Sequence, residues 1–150
     1  VLLRFDVALD ARKAADPASY SLGTWGYKRA YTYGSAQYKA DGTTGIDWLT
    51  PSSAYLSKDG RSVFVGVPGM KPVMQLRIGW SLASADGAAI AENAYTTPYE
   101  LAAFDPKAEG FGDIVIHDQA DHGHCTLLLF LGQGFYCTFG LHLSRHQHVG

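Results

Sequence analysis

The chain has 150 residues, of which 47% are hydrophobic and 17% are charged, and its formal net charge is −2. This length is sufficient for one domain with a substantial core, or for one domain with an appendage. Its lysines and arginines are scattered, without the basic stripe or polybasic cluster that binds phosphate backbones or anionic lipid, so we expect neither nucleic-acid nor membrane-surface binding.

The first half of the chain predicts short strands separated by turns. Apolar and polar residues alternate at its start, which predicts a half-buried strand with Leu3, Phe5, Val7 and Leu9 on one face. Asp10 is placed to cap a short helical turn, and Asp16-Pro17 ends it. The segment 20–38 is rich in aromatic residues and glycines, as short strands with bends would be, and Pro51 interrupts any later continuous strand.

The middle of the chain predicts strand pairs with tight turns. "AYLSKDGRSVFVGV" predicts a hairpin that turns at Asp59-Gly60, a dipeptide that favours positive φ. "VMQLRIGWSL" is another alternating strand, and "ASADGAAI" turns at Asp86-Gly87. Strands at this spacing, with no long helical pattern between them, favour an antiparallel β-sandwich.

The composition changes towards the carboxyl end. Lysine is absent after Lys107, acidic residues end at Asp121, and all six histidines lie between His117 and His148. We therefore expect a sandwich over residues 1–116 and a His/Cys-rich hydrophobic hairpin or tail over residues 117–150. The apolar run 125–143 is too interrupted by glycine and polar residues for a spanning helix and predicts two strands. A strand such as "TLLLFL" at a sheet edge would favour pairing between copies, so a homodimer through edge strands is one alternative.

Three segments resemble a bacterial Ig-like module. They are "LLRFDVALD…AADPASYSL", "AYLSKDGRSVFVGVPGMKPVMQLRI" and "SADGAAI", and the likeness continues through "YELAAFDPKAEGFG" over roughly residues 1–116. Modules of this family occur in large secreted bacterial proteins with dehydrogenase-like propellers, haem-binding or cytochrome c domains. The resemblance implies an extracytoplasmic accessory module and identifies no catalytic residue.

The segment 134–150 resembles the copper loop of azurin- and auracyanin-like cupredoxins. "YCTFGLH" has the Cys-Thr-Phe-x-x-His spacing, and the resemblance implies Cys137 as thiolate ligand, His142 as loop imidazole and His146 at the axial position. A thiolate and an imidazole at this spacing can converge on one copper ion. Three features depart from the family. Histidine stands where its axial methionine is usual, and Gly140-Leu141 replaces the usual Pro-Gly before the loop histidine. No histidine precedes His117 to supply the imidazole expected several strands upstream.

Two other interpretations of this segment remain open. A less regular transition-metal site could use some of Cys125, Cys137, His122, His124, His142, His146 and His148. The favoured interpretation is a hydrophobic hairpin with histidines at its polar ends and no specific metal, so we expect no cofactor, with copper as the alternative. A turn centred near Gln133 would offset Cys125 from Cys137 by about four positions, which disfavours a disulfide.

Aromatic residues of the segment 25–48 raise a carbohydrate-binding interpretation. Tyr27, Tyr31 and Tyr33 share one strand parity, so one sheet face could present their rings to a sugar. The favoured alternative is that these rings form the core of the sandwich and its cross-strand pairs.

The sequence as a whole predicts a non-enzymatic module. Ser144 has no Gly-x-Ser-x-Gly context that would make it a nucleophile. We expect an accessory or interaction module of an extracytoplasmic bacterial redox protein, with the neighbouring domains of that protein as partners. Metal binding by the His/Cys-rich segment is the first alternative, and carbohydrate binding is the second.

Overall fold

A computed structural model describes residues 1–31 and 33–113, and the backbone of residues 129–131. Within these ranges the chain forms eight strands: β1 (Leu2–Phe5), β2 (Tyr20–Trp25), β3 (Asp47–Leu49), β4 (Ser53–Leu56), β5 (Ser62–Gly66), β6 (Gln75–Ala83), β7 (Ala89–Thr96) and β8 (Leu129–Leu131). Helical structure in the same ranges consists of α1 (Ala11–Ala14) and a 3-10 turn at Pro17–Ser19.

The strands form two sheets, with the order β4-β5-β1-β8 in the first and β3-β2-β6-β7 in the second. β8 runs parallel to β1, and every other pair of neighbouring strands is antiparallel. The predicted all-β sandwich is confirmed. Apart from β8, the segment 117–150 lies outside the described residues, so the boundary near residue 117 and the hairpin beyond it stay predictions.

The local turn predictions are also confirmed. β4 and β5 pair across the turn at Asp59-Gly60, where Gly60 has φ +70°, and Gly87 has φ +94° in the turn between β6 and β7. Asp10 caps α1 by accepting a hydrogen bond from the Lys13 amide, and Asp16 accepts one from the Ala18 amide. Pro51 lies in the break between β3 and β4.

The core lies between the two sheets. Leu3 and Phe5 of β1 face Ile78 and Trp80 of β6, and the Phe5 and Trp80 rings meet edge to face at 5.9 Å. α1 closes one side of this core, where Ala14 is buried and the Tyr20 hydroxyl donates to the Ala14 carbonyl at 2.8 Å. Burial, and to a smaller extent the negative charge of Asp16, raise the pKa of Tyr20 far above its ordinary value.

β1 departs from the predicted half-buried strand, because both of its faces are covered. Leu2 and Phe64 on the outer face of the first sheet are buried against Phe104 and Phe111, and the Phe64 and Phe104 rings stack at 4.1 Å. We call residues 101–113, which lie over this outer face, the covering segment. An ion pair between Arg4 and Glu109 also connects β1 to it. Val7, expected on the buried face, is 40% exposed because β1 ends at Phe5.

Candidate functional site

The predicted tyrosine platform does not form. Tyr27, Tyr31 and Tyr33 lie in the connection between β2 and β3, where the described residues 27–37 adopt no strand, so the three side chains share no sheet face. The alternative that they belong to the core is also wrong, since all three are exposed and Tyr31 and Tyr33 are fully so. The strand ends at Trp25 because Gly26 bridges to Tyr38 and begins an irregular loop.

A different aromatic surface lies on the outer face of the second sheet. The register pairs Trp48 with Gly23, Gly23 with Arg77, and Arg77 with Tyr95, so these four residues form one row across β3, β2, β6 and β7. Residues directly opposite each other in a sheet point to the same side. The adjacent row Leu49–Leu22–Ile78–Ala94 packs into the core, so the row Trp48–Gly23–Arg77–Tyr95 faces outward. We call it the aromatic row.

Both ends of the aromatic row are accessible aromatic rings. Trp48 is 60% exposed and Tyr95 is 58% exposed. Three strand spacings separate their backbones, about 14 Å at about 4.8 Å per strand. Large aromatic side chains exposed on the face of a sheet are typical of a recognition surface rather than of a core.

Gly23 allows the Trp48 indole to lie over the sheet. A Cβ atom at Gly23 would come within 3.0 Å of Trp48 Cζ3 and 2.8 Å of Ile46 Cγ2, both too close for ordinary contact. The indole therefore extends across β2 towards β6, where the Arg77 guanidinium carbon lies 5.5 Å from the centroid of the Trp48 ring. Arg77 donates a hydrogen bond of 2.6 Å to Asn93 Oδ1, which helps to fix the guanidinium over the Trp48 ring.

Trp25 lies next to the aromatic row on the same face. Its ring packs edge to face against Tyr95 at 6.3 Å, and the residue is only 5% exposed. In the part of the chain that the structure describes, no acceptor contacts its buried indole Nε1–H. A buried donor without an acceptor costs free energy, which an oxygen atom of a ligand could offset.

A groove of about 610 Å³ opens beside Trp25 and Trp48. Its walls come from the end of β2, from β3 and from the two flanking connections, and they include Trp25, Tyr38, Lys39, Asp47, Trp48 and Lys71. Its charged lining is thus two lysines and one carboxylate. Asp47 Oδ2 accepts a hydrogen bond of 2.8 Å from the Ala40 amide, so this carboxylate is engaged in holding the loop.

Three carboxyl groups outside the groove have lowered pKa values, and each belongs to a turn. The Ser57 hydroxyl, then the Arg61 amide, lower the pKa of Asp59 by hydrogen bonding, and the Ser84 hydroxyl and the Ala88 amide do the same for Asp86. The side chain and the amide of Thr43 lower the pKa of Asp41. Hydrogen bonds that favour the charged form explain all three shifts as features of turn structure.

Sequence reasoning missed the aromatic row, although one signal was present. The strand 20–25 alternates Tyr20, Leu22 and Thr24 with Ser21, Gly23 and Trp25, and a glycine in a strand interior marks a close approach of other groups. The sequence does not show that Trp48 packs over Gly23, because a long irregular loop separates the two residues along the chain.

The predicted metal ligands all lie outside the described residues. Cys137, His142, His146, His122 and His124 belong to the segments 114–128 and 132–150, as do the remaining cysteine and histidines of the chain. The copper loop and the less regular metal site therefore stay predictions from the sequence.

The chain matches no protein-family model, no curated protein and no solved structure. In the described part of the chain, helices are too short and too polar to cross a membrane.

Proposed function

We propose that the chain is a non-catalytic accessory module of an extracytoplasmic bacterial redox protein, and that it binds a ligand through the aromatic row. The observation that carries the binding role is the row itself, in which the described residues leave the Trp48 and Tyr95 rings exposed on one sheet face and a hydrogen-bonded Arg77 guanidinium lies over the Trp48 ring. The accessory role and the extracytoplasmic location rest on the resemblance to bacterial Ig-like modules.

Among the described residues, the three carboxyl groups whose pKa values are lowered are explained by turn structure. Catalytic acids and bases are commonly found as pKa-shifted groups within a cleft. Here the shifted carboxyl groups of Asp41, Asp59 and Asp86 stabilise turns, whereas the groove carboxylate of Asp47 holds a backbone amide.

The contrast between the two outer sheet faces supports the aromatic row as the binding surface. The covering segment buries the apolar outer face of the first sheet with Phe104 and Phe111. On the second sheet Trp48 and Tyr95 keep more than half of their surface exposed. An aromatic surface that the described residues of the chain leave exposed is a candidate for contact with another molecule.

Two matched double variants test this proposal. The chain is assayed against the neighbouring domains of its parent protein in pull-down experiments and against a glycan array. We expect a ligand whose binding is lost in Trp48→Ala/Tyr95→Ala and retained in Tyr31→Ala/Tyr33→Ala. Both variants remove two exposed rings, but only the first removes rings of the aromatic row. The proposal would be overturned if none of the probes binds the chain, or if the two variants lose binding equally.

A further inference from the structure

We propose that the aromatic row binds an acidic polysaccharide, a glycan chain that bears uronate carboxylates. This inference rests on the proposed function and names the ligand class of the same surface. It assigns sugar stacking to Trp48, carboxylate recognition to Arg77, and a supporting positive field to Lys39 and Lys71.

Stacking on Trp48 favours a sugar. The carbon-bound hydrogens of a pyranose form an apolar patch that packs on an indole, and its hydroxyls need hydrogen-bonding partners around the ring. Such partners lie on the same face, in the next outward row, which consists of Ser21, Gly79 and Asn93. The polar side chains of Ser21 and Asn93 lie over Gly79.

The extent of the surface favours a chain rather than a single sugar. The backbones of Trp48 and Tyr95 lie about 14 Å apart across the sheet, and the groove is lined by Trp25 and Trp48 together with Lys39 and Lys71. A linear polymer can contact the aromatic row and the groove at once.

The charge around this surface favours an anionic ligand. Arg77 lies within the aromatic row, and Lys39 and Lys71 line the groove, although the whole chain has a net charge of −2. Asp47 is the opposing groove carboxylate, and Asp41 lies near enough to Lys39 for that cation to lower its pKa. Positive charge therefore predominates among these side chains even after both carboxylates are included.

The guanidinium of Arg77 is suited to bind a carboxylate. A guanidinium presents five N–H donors in a planar fork that matches a carboxylate. One Arg77 nitrogen donates to Asn93 Oδ1 at 2.6 Å, which fixes the direction of the fork, and the side chain is only partly buried. The guanidinium carbon lies over the Trp48 ring, 5.5 Å from its centroid, so a uronate at the exposed part of this ring could contact both groups.

Single-stranded nucleic acid is the competing polyanion, because bases also stack on aromatic rings. It is disfavoured, since such proteins use an extended positive groove along the backbone, whereas the described cations at this surface are Arg77, Lys39, Lys71 and, over the Tyr38 ring, Lys28.

The test compares polygalacturonate with its methyl-esterified form, which has the same backbone without the charges, and with oligothymidylate. Titration calorimetry should show binding to polygalacturonate that weakens with salt, and binding to the ester that is about tenfold weaker. Equal binding to acid and ester would overturn the charge assignment, and preference for oligothymidylate would replace the glycan with nucleic acid.

Variants separate the roles of the residues. Trp48→Ala should weaken binding to both acid and ester by about tenfold or more. Arg77→Gln should weaken binding to the acid alone and bring the two affinities within about twofold. An Arg77→Gln variant that keeps the wild-type preference for the acid would contradict the assignment.

Lys71→Gln should reduce the salt dependence of binding. Lys107→Gln, which changes an exposed lysine of the covering segment, should leave the salt dependence unchanged.

The outcomes also distinguish this inference from the proposed function. If another ligand binds the aromatic row while polygalacturonate does not, the inference fails and the binding function stands. If nothing binds and the Trp48→Ala/Tyr95→Ala variant behaves as wild type against every probe, both fail.

Discussion

Three Asp-Gly dipeptides show how individual residues determine the turns of this fold. Asp41-Gly42, Asp59-Gly60 and Asp86-Gly87 each place the glycine at positive φ, between +70° and +94°. In each turn the aspartate accepts hydrogen bonds from a hydroxyl and an amide within two residues, as in the Asp59 contacts with Ser57 and the Arg61 amide. Glycine removes the steric cost of the left-handed conformation, and the ionised aspartate satisfies the turn donors.

Because of these turns, we expect the folded chain to become less stable at low pH. The pKa of each aspartate is lower in the folded chain than the ordinary value of about 4, so the unfolded chain binds more protons as the pH falls. The stabilisation that these three ionised carboxyl groups provide is fully present above about pH 4. It is lost as the pH falls through their pKa values in the folded chain. Melting temperatures recorded between neutral pH and pH 2 should decline below about pH 4.

Ser57→Ala provides the residue-level control for this effect. Removing the hydroxyl that contributes most to the shift should raise the pKa of Asp59 towards its ordinary value, as measured by carboxyl-carbon NMR titration. Ser81→Ala, at an exposed serine of β6, should leave that titration unchanged. An Asp59 that titrates identically in wild type and Ser57→Ala would contradict this account.

At the scale of elements, β2 is the strand that organises the proposed binding face. Leu22 packs into the core, while Gly23 lies beneath the Trp48 indole on the outer face. β3 is only three residues long, and among the described strands its partner is β2. The position of Trp48 therefore depends on close contact with Gly23.

Gly23→Ala should displace the indole. The added methyl would overlap Ile46 and Trp48, and we expect a destabilisation of about 1–3 kcal/mol together with a loss of ligand affinity comparable to that of Trp48→Ala. Urea unfolding measures the loss of stability, and near-ultraviolet circular dichroism measures the displacement of the indole. Gly26→Ala is the matched control, since its Cβ would meet Met74 Sδ at an ordinary 3.5 Å. Equal behaviour of the two variants would contradict the proposed packing.

Prediction from sequence succeeded for elements whose signals are local. The β4–β5 hairpin has its Asp-Gly turn and two β-rich runs within fourteen positions, and β6 shows Leu76, Ile78 and Trp80 at a period of two. It failed where burial depends on distant segments. Leu2 is buried by Phe104 and Phe111, about a hundred positions away along the chain, and no local pattern contains that contact.

The same limit applied to the candidate site. Tyr27, Tyr31 and Tyr33 were assigned to a strand from their spacing, but the chain leaves the sheet at Gly26 and the three rings are separated from it. The aromatic row combines residues of four strands between positions 23 and 95, so only the sheet register brings them together.

At the scale of the whole molecule, the described residues form a sandwich with two unlike outer faces. The covering segment lies over one of them, and its aromatic residues complete a second small core with Leu2 and Phe64. The other bears the aromatic row beside a groove with two lysines. This difference between the described faces is the structural basis of the proposal that the second sheet carries the ligand face.

Fluorescence quenching by acrylamide tests that claim most directly, because the chain has three tryptophans that differ sharply in exposure. Trp25 and Trp80 are 5% and 4% exposed, whereas Trp48 is 60% exposed, so the quenchable emission should disappear in Trp48→Phe. Saturating polygalacturonate should protect the wild-type emission from quenching, because the glycan would cover Trp48. Unchanged quenching of Trp48 at saturating polygalacturonate would contradict the account.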